Sequence, residues 1–247
     1  MAEKVKLTNP PITEALVDIR VKHPSGFNIN SFDDLNEDKL RDFPVKELQN
    51  EYSADVKVKP DKEPHLSAKS RGIRGFIYKT EDKKNIVQFR KDGFTFNRLK
   101  PYTNWEEFIA IAEKLWGIYL EKSTPLKVTR IATRFINQIK LPLPIEDFSD
   151  YMTTPPQNPL KNDVITGFLS RIQLHDLKDE IRTNIIQTLE KGTEAGEITL
   201  LLDIDTYISK DFSPQENLFW NRFDKLRKKK NDLFYSSITE KTINLYK

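Results

Sequence analysis

The residues best suited to chemistry are two aspartates inside an apolar run. TLLLDIDTYI, from Thr199 to Ile208, places Asp203 and Asp205 on alternate positions. Side chains of an extended chain alternate between faces, so both carboxylates lie on one side. Such a pair holds a divalent cation when further oxygen ligands stand nearby and cations do not. It can equally meet arginine forks, which match a carboxylate bidentately. The neighbouring alternating segments favour arginine. In KVTRIATRFINQIKLP, Arg130 and Arg134 share a face with Ala132, Ile136, Gln138 and Lys140. After Gly167, Arg171 and Gln173 share one with Leu169 and His175. We therefore expect Arg130, Arg134, Arg171, Gln173, Asp203 and Asp205 to form one polar sheet face through cross-strand pairs. That face would bind a partner, with no catalytic residue, metal ligand or cofactor assigned to it.

Other candidates are weaker. His23, His65 and His175 lack metal-ligand spacing. His175, near Arg171 and Asp203, is the one histidine suited to acid–base work, although a histidine at a strand end is by default solvated. Asn137 falls on an apolar strand face, where a buried amide requires hydrogen bonds, expected here from a loop or helix end. The eight glycines form no phosphate-binding loop, and HExxH is absent. The chain has no cysteine, which excludes disulfides, a thiol nucleophile and thiolate metal sites. One basic cluster stands out: Lys225, Arg227, Lys228, Lys229 and Lys230. Read structurally, it ends a helix, with cations at the negative end of the dipole. Read functionally, it is a phosphate-contact patch for RNA or DNA, although no aromatic residue interleaves it for base stacking.

These residues need elements to position them. ITEALVDIRVK alternates, with Ala15, Val17, Ile19 and Val21 on one face, as a half-buried strand does. SFDDLNEDKLRDF has a loose helical stripe capped by Ser31. Glu51 to Lys59 reads as a short edge strand, and Asp61 to Ser70 as loop. RGIRGFIYKT, NIVQFR and FTFNRL are strands, the last two joined by Lys91-Asp92-Gly93. NWEEFIAIAEKLWGIYLEK is a helix with Asn104 as cap and Glu107 completing a capping box. After Ser123 to Pro125 the order restarts: a long strand, a short helical PIEDFSDYM, three strands, and a helix opened by Ser213-Pro214 with Leu218, Phe219, Phe223 and Leu226 on one face. Thr239 can cap a final short helix that buries Phe234, Ile238, Ile243 and Leu245.

The repeated order predicts an α+β protein with a pseudo-duplicated antiparallel sheet and two long helices packed on one face. Residues 1–124 form the first half and 125–247 the second, together one structural unit. The 247 residues allow a sizeable core, and 15 Phe, 8 Tyr and 3 Trp supply bulk that disordered chains lack. A net charge of +3 gives no global field for nucleic acid. No signal peptide or membrane-length apolar run is present, so a soluble cytoplasmic protein without a membrane partner is expected.

Four phrases in order carry a resemblance: NPPITEALVDIRV, RFINQIKLP, LLDID and LRKKKNDLFYSSITEKT. With its Pro-Ile-x-Glu start, Arg-x-x-Asn and Asp-Ile-Asp strands and Asn-x-x-Phe-x-x-x-Ile-Thr end, the chain resembles a sporadically distributed, uncharacterised family of bacterial and archaeal proteins of about this length. The matching positions are Pro11, Ile12, Glu14, Arg134, Asn137, Asp203, Asp205, Asn231, Phe234 and Thr239. The family carries over no activity. Its patchy distribution implies mobile or defence-associated genes.

The sequence thus points first to a non-enzymatic binding module for a protein partner, as a regulator, antitoxin-like or chaperone-like protein, with a homodimer also open. The alternative is a nucleic-acid-binding or metal-dependent nucleic-acid-processing protein. That alternative, with Asp203, Asp205 and His175 as its active-site candidates, gains if the basic cluster and the Asp–Arg face line one cleft and loses if they lie on opposite sides.

Overall fold

The computed structural model describes residues 5, 7–33, 35, 39–57, 65–158, 160, 163–192, 195–215 and 219–247, without the side chains of 54–57 and 65–68. Nine strands form a single antiparallel sheet: β1 (Ile12–Lys22), β2 (Val45–Lys57), β3 (His65–Lys79), β4 (Asn85–Arg90), β5 (Gly93–Leu99), β6 (Lys127–Pro142), β7 (Leu169–Asp176), β8 (Ile181–Lys191) and β9 (Glu197–Ile208). Their order across the sheet is β2-β3-β4-β5-β1-β6-β9-β8-β7. With helices α1 (Trp105–Ser123), α2 (Trp220–Ser237) and α3 (Glu240–Asn244), this is an α+β fold. None of the described helices is long and apolar enough to cross a membrane.

Alternation sets the faces. Val17 stands opposite Phe96 on β5 and Thr133 on β6, and Thr133 stands opposite Thr206 on β9. This row belongs to the apolar side, where Ala15, Val17, Ile19, Phe94, Phe96, Ile131, Leu202 and Ile204 are all buried. Phe108 of α1 stacks on Phe96, and the Leu226 carbonyl of α2 accepts from the Thr206 hydroxyl. Burying these rings and aliphatic chains supplies most of the drive to fold. The β4–β5 turn needs its glycine: Gly93 has φ +149°, and a Cβ there would lie 2.1 Å from the Ile19 carbonyl oxygen of β1. Phe89, Phe94 and Phe96 occupy the core, as their alternation predicts.

Several boundaries differ from expectation. The helix expected from Ser31 is a 3-10 turn, Ile29–Phe32, capped by the Asn28 side chain. Residues 34 and 36–38 of that segment lie outside the described residues, yet Phe32, Leu35, Leu40 and Phe43 are buried as the stripe requires. The expected short edge strand is part of the 13-residue β2, at the sheet edge, and residues 65–70 of the expected loop belong to β3, where His65 pairs with Lys57; residues 58–64 lie outside the described residues. Charged residues are tolerated there because an edge strand keeps one side open to water. Asn104 caps α1 by accepting from the Glu107 amide at 2.8 Å. The capping box is not closed: the Glu107 carboxylate accepts from Arg98 and Thr103 instead.

PIEDFSDYM forms only the 3-10 turn Phe148–Asp150. The second long helix begins at Trp220, with 216–218, including Leu218, outside the described residues, and it runs on to Ser237. Its basic run is therefore mid-helix, because Phe234 continues the buried stripe of Phe223, Leu226 and Lys230 past the charges. Thr239 caps α3 as expected, while Leu245 is exposed.

Candidate functional site

Asp203 and Asp205 share a face with Arg130 and Arg134. Arg134 stands directly opposite Asp205 in the β6–β9 ladder, but each guanidinium leans along the strands. Arg134 Nε donates to Asp203 at 2.8 Å, and Arg130 donates to both oxygens of Asp205 at 3.1 and 3.3 Å. Arg130 also lies over the Tyr207 ring, 4.4 Å from its centroid. Burial pushes the Asp205 carboxyl above its usual range despite Arg130.

The network reaches further than these four residues. Arg130 also donates to Asp18 of β1, at 3.1 Å. Asp18 accepts from Arg20, from Arg90 of β4 at 2.7 Å and from Thr95 of β5 at 2.9 Å. Burial alone would raise the Asp18 carboxyl, but Arg90, Arg20 and Arg130 together hold it below the usual carboxylate range. Asp92, in the β4–β5 turn, accepts from Arg20, Arg74 and Arg90. In the other direction Asn184 of β8 donates to Asp205 at 3.4 Å and accepts from Gln173 of β7 at 2.8 Å. A chain of alternating acceptors and donors thus crosses the sheet from Arg74 to Gln173.

Sequence reasoning alone does not identify Asp18, Arg20 and Arg90 as site residues. The alternation that marked Arg130 and Arg134 was present in β1, where Asp18 and Arg20 sit on the polar face. What sequence could not supply was the adjacency of β1 and β6. Arg171 shares the row of Asp203 through Ile186, forms no ion pair among the described residues and is exposed, as is His175. Asn137 is buried and donates to the Leu202 carbonyl at 2.9 Å, so its main partner is the neighbouring strand rather than a loop or helix end.

The basic cluster sits elsewhere. Lys230 lies over the ring of Phe135, which belongs to the apolar side of the sheet. Lys225 pairs with Asp179, Arg227 with Glu106, Lys228 with Asp232 and Lys229 with Asp176. The cluster and the Asp–Arg face therefore line no common cleft. Chemically, the polar face is a set of carboxylates engaged by guanidinium groups and amides. Among the described residues, no three histidine or acidic side chains converge in a metal-binding arrangement.

At its far end the polar face runs into an edge. β7 is the last strand of the sheet, and among the described residues no strand pairs with its outer side. Leu169 is 74% exposed on the polar side, and Ile172 and Leu174 are each 39% exposed on the other. Leu177, in the following turn, is also exposed.

No family model matches the chain, and no curated protein matches it.

Proposed function

We propose that the chain is a non-enzymatic binding module that engages a protein partner at the β7 end of its polar sheet face. The observation that carries this reading is the β7 edge itself: a terminal strand with Leu169 exposed on one face and Ile172 and Leu174 on the other. A free edge offers unpaired backbone groups to an incoming strand, and alternating apolar side chains give that strand something to bury. Arg171 and Gln173, exposed on the same strand, supply polar contacts around the apolar ones. The Asp–Arg network serves as a rigid base for this edge, because Gln173 is tied through Asn184 to Asp205.

We also infer that the scaffold is a pseudo-duplication of residues 1–124 and 125–247. Two things support this. β1 is followed by the meander β2–β5 and then α1, and β6 by the meander β7–β9 and then α2, with β1 and β6 adjacent at the centre. α1 and α2 reach the sheet at Phe96 and Thr206, which lie in one cross-sheet row, as two helices on one face would.

The experiment is affinity capture of the tagged chain from its native cells after nuclease treatment, beside an Ile172→Lys/Leu174→Lys variant. The reading expects a stoichiometric protein that the variant fails to retain. Sedimentation of the purified chain separates a foreign partner from a second copy. Nuclease-sensitive recovery of nucleic acid, lost on Lys228→Glu/Lys229→Glu substitution, would favour the nucleic-acid alternative instead.

A further inference from the structure

Lys230 is a cation in an apolar place. Its side chain is 8% exposed, and its Nζ stands 3.9 Å from the centroid of the Phe135 ring. It forms no hydrogen bond and no ion pair with any described residue. Its nearest influential charge is another cation, Arg227, which is itself engaged by Glu106 at 3.0 Å. Buried ammonium groups are normally paired, because desolvation without compensation is costly. The ring face compensates only in part.

Lys230 lines a cavity of about 390 Å³ between the N-terminal segment, the start of α1, β6 and α2. That size is within the range of small-molecule sites. Two more polar groups there have no partner among the described residues: the Tyr102 hydroxyl and the Asn231 amide. Asn137, also lining it, spends its amide nitrogen on backbone carbonyls. The remaining wall combines the rings of Phe135, Trp105, Phe234 and Tyr235 with aliphatic residues of the N-terminal segment and polar residues at the start of α1.

We propose that this cavity binds a small aromatic carboxylic acid, its carboxylate held by Lys230 and its ring packed between Phe135 and Phe234. One uncommitted cation matches one negative charge. A phosphate dianion would require a second, and Arg227 is already paired. Flat aromatic walls favour a flat apolar body. Asn231 and Tyr102 are available for the second carboxylate oxygen. Burial lowers the Lys230 ammonium to about 7, with Arg227 adding to the effect, so an anion arriving beside it would restore the charged form.

The test uses the full chain with 2-naphthoate and its uncharged counterpart 2-naphthamide, titrated by calorimetry near pH 6. We expect 2-naphthoate to bind with Kd of roughly 1 mM or tighter, the scale expected of a fragment-sized ligand, and about tenfold or more tighter than the amide. Lys230→Met should erase that preference while leaving amide binding intact, which also confirms that the cavity is still formed. The preference should fade as pH rises to about 9, because Lys230 loses its proton. The other titratable groups facing it are Arg227, Glu106 and the phenols of Tyr102 and Tyr235, both of which burial holds above the ordinary phenol range. Both phenols therefore stay protonated over that interval. Equal affinity for acid and amide, acid binding unchanged by Lys230→Met, or no saturable binding of either probe would each overturn the proposal.

Discussion

Arg90 donates to Asp18 at 2.7 Å, and both side chains are more than nine-tenths shielded from water on the polar face of the sheet. Around that contact Arg20, Arg130 and Thr95 complete the shell of Asp18. Removing one member of a buried, hydrogen-bonded ion cluster strands the others. Asp18→Asn is therefore expected to lower the unfolding free energy by about 3–5 kcal/mol in urea titration. Asp205→Asn is expected to cost within about 1 kcal/mol, because burial already disfavours that carboxylate.

The two carboxylates also differ in pH response. The folded state holds the Asp18 carboxyl low. Its contribution is thus present above the unfolded value near 3.9 and is lost as pH falls through the folded one. The folded state holds Asp205 high, so its contribution has the opposite sign and is lost as pH rises through the folded value. Acid unfolding of the wild type should show the Asp18 loss below about pH 4, and Asp18→Asn should flatten the curve there.

Lys230 gives a second pH signature. Its folded value near 7 lies below the unfolded value near 10.4, so the native state binds fewer protons between them. Stability should therefore rise with pH from about 7 to about 10, with the full penalty present below 7. Lys230→Met should remove this rise and stabilise the protein near pH 6 by about 2–4 kcal/mol, measured by denaturant titration at several pH values.

Gly93 is constrained by the central strand it turns against. A Cβ there meets the Ile19 carbonyl oxygen at 2.1 Å, and the residue has a positive φ. Gly93→Ala is expected to cost more than about 2 kcal/mol, read as a lower denaturation midpoint with unchanged slope.

Much of the fold was legible. The alternation of Ala15, Val17 and Ile19, and that of Leu200, Leu202 and Ile204, marks both strand and buried face, because a period of two leaves no other assignment. The Asp–Arg pairing was legible too, since Arg130, Arg134, Asp203 and Asp205 keep the same phase in their strands. The β2–β3 hairpin was not, because proline and charge near residue 60 mask a long edge strand that water solvates on one side. Lys230 was hidden for a related reason. It sits among solvated lysines in sequence, and only the helical phase shared with Leu226 and Phe234 turns it inward. The partner edge at β7 depends on strand order, which no single segment encodes.

If β7 is the docking edge, Ile172→Lys/Leu174→Lys should leave the unfolding free energy within about 0.5 kcal/mol of the wild type, because both side chains are exposed. Partner retention should nevertheless be lost.

The most direct measurement is amide hydrogen exchange of the chain alone and in its captured complex. Pairing of a partner strand with β7 predicts new protection from Leu169 to Asp176, extending little beyond β8. Unchanged exchange across β7, with protection appearing instead along Lys225 to Lys229 of α2, would contradict the account.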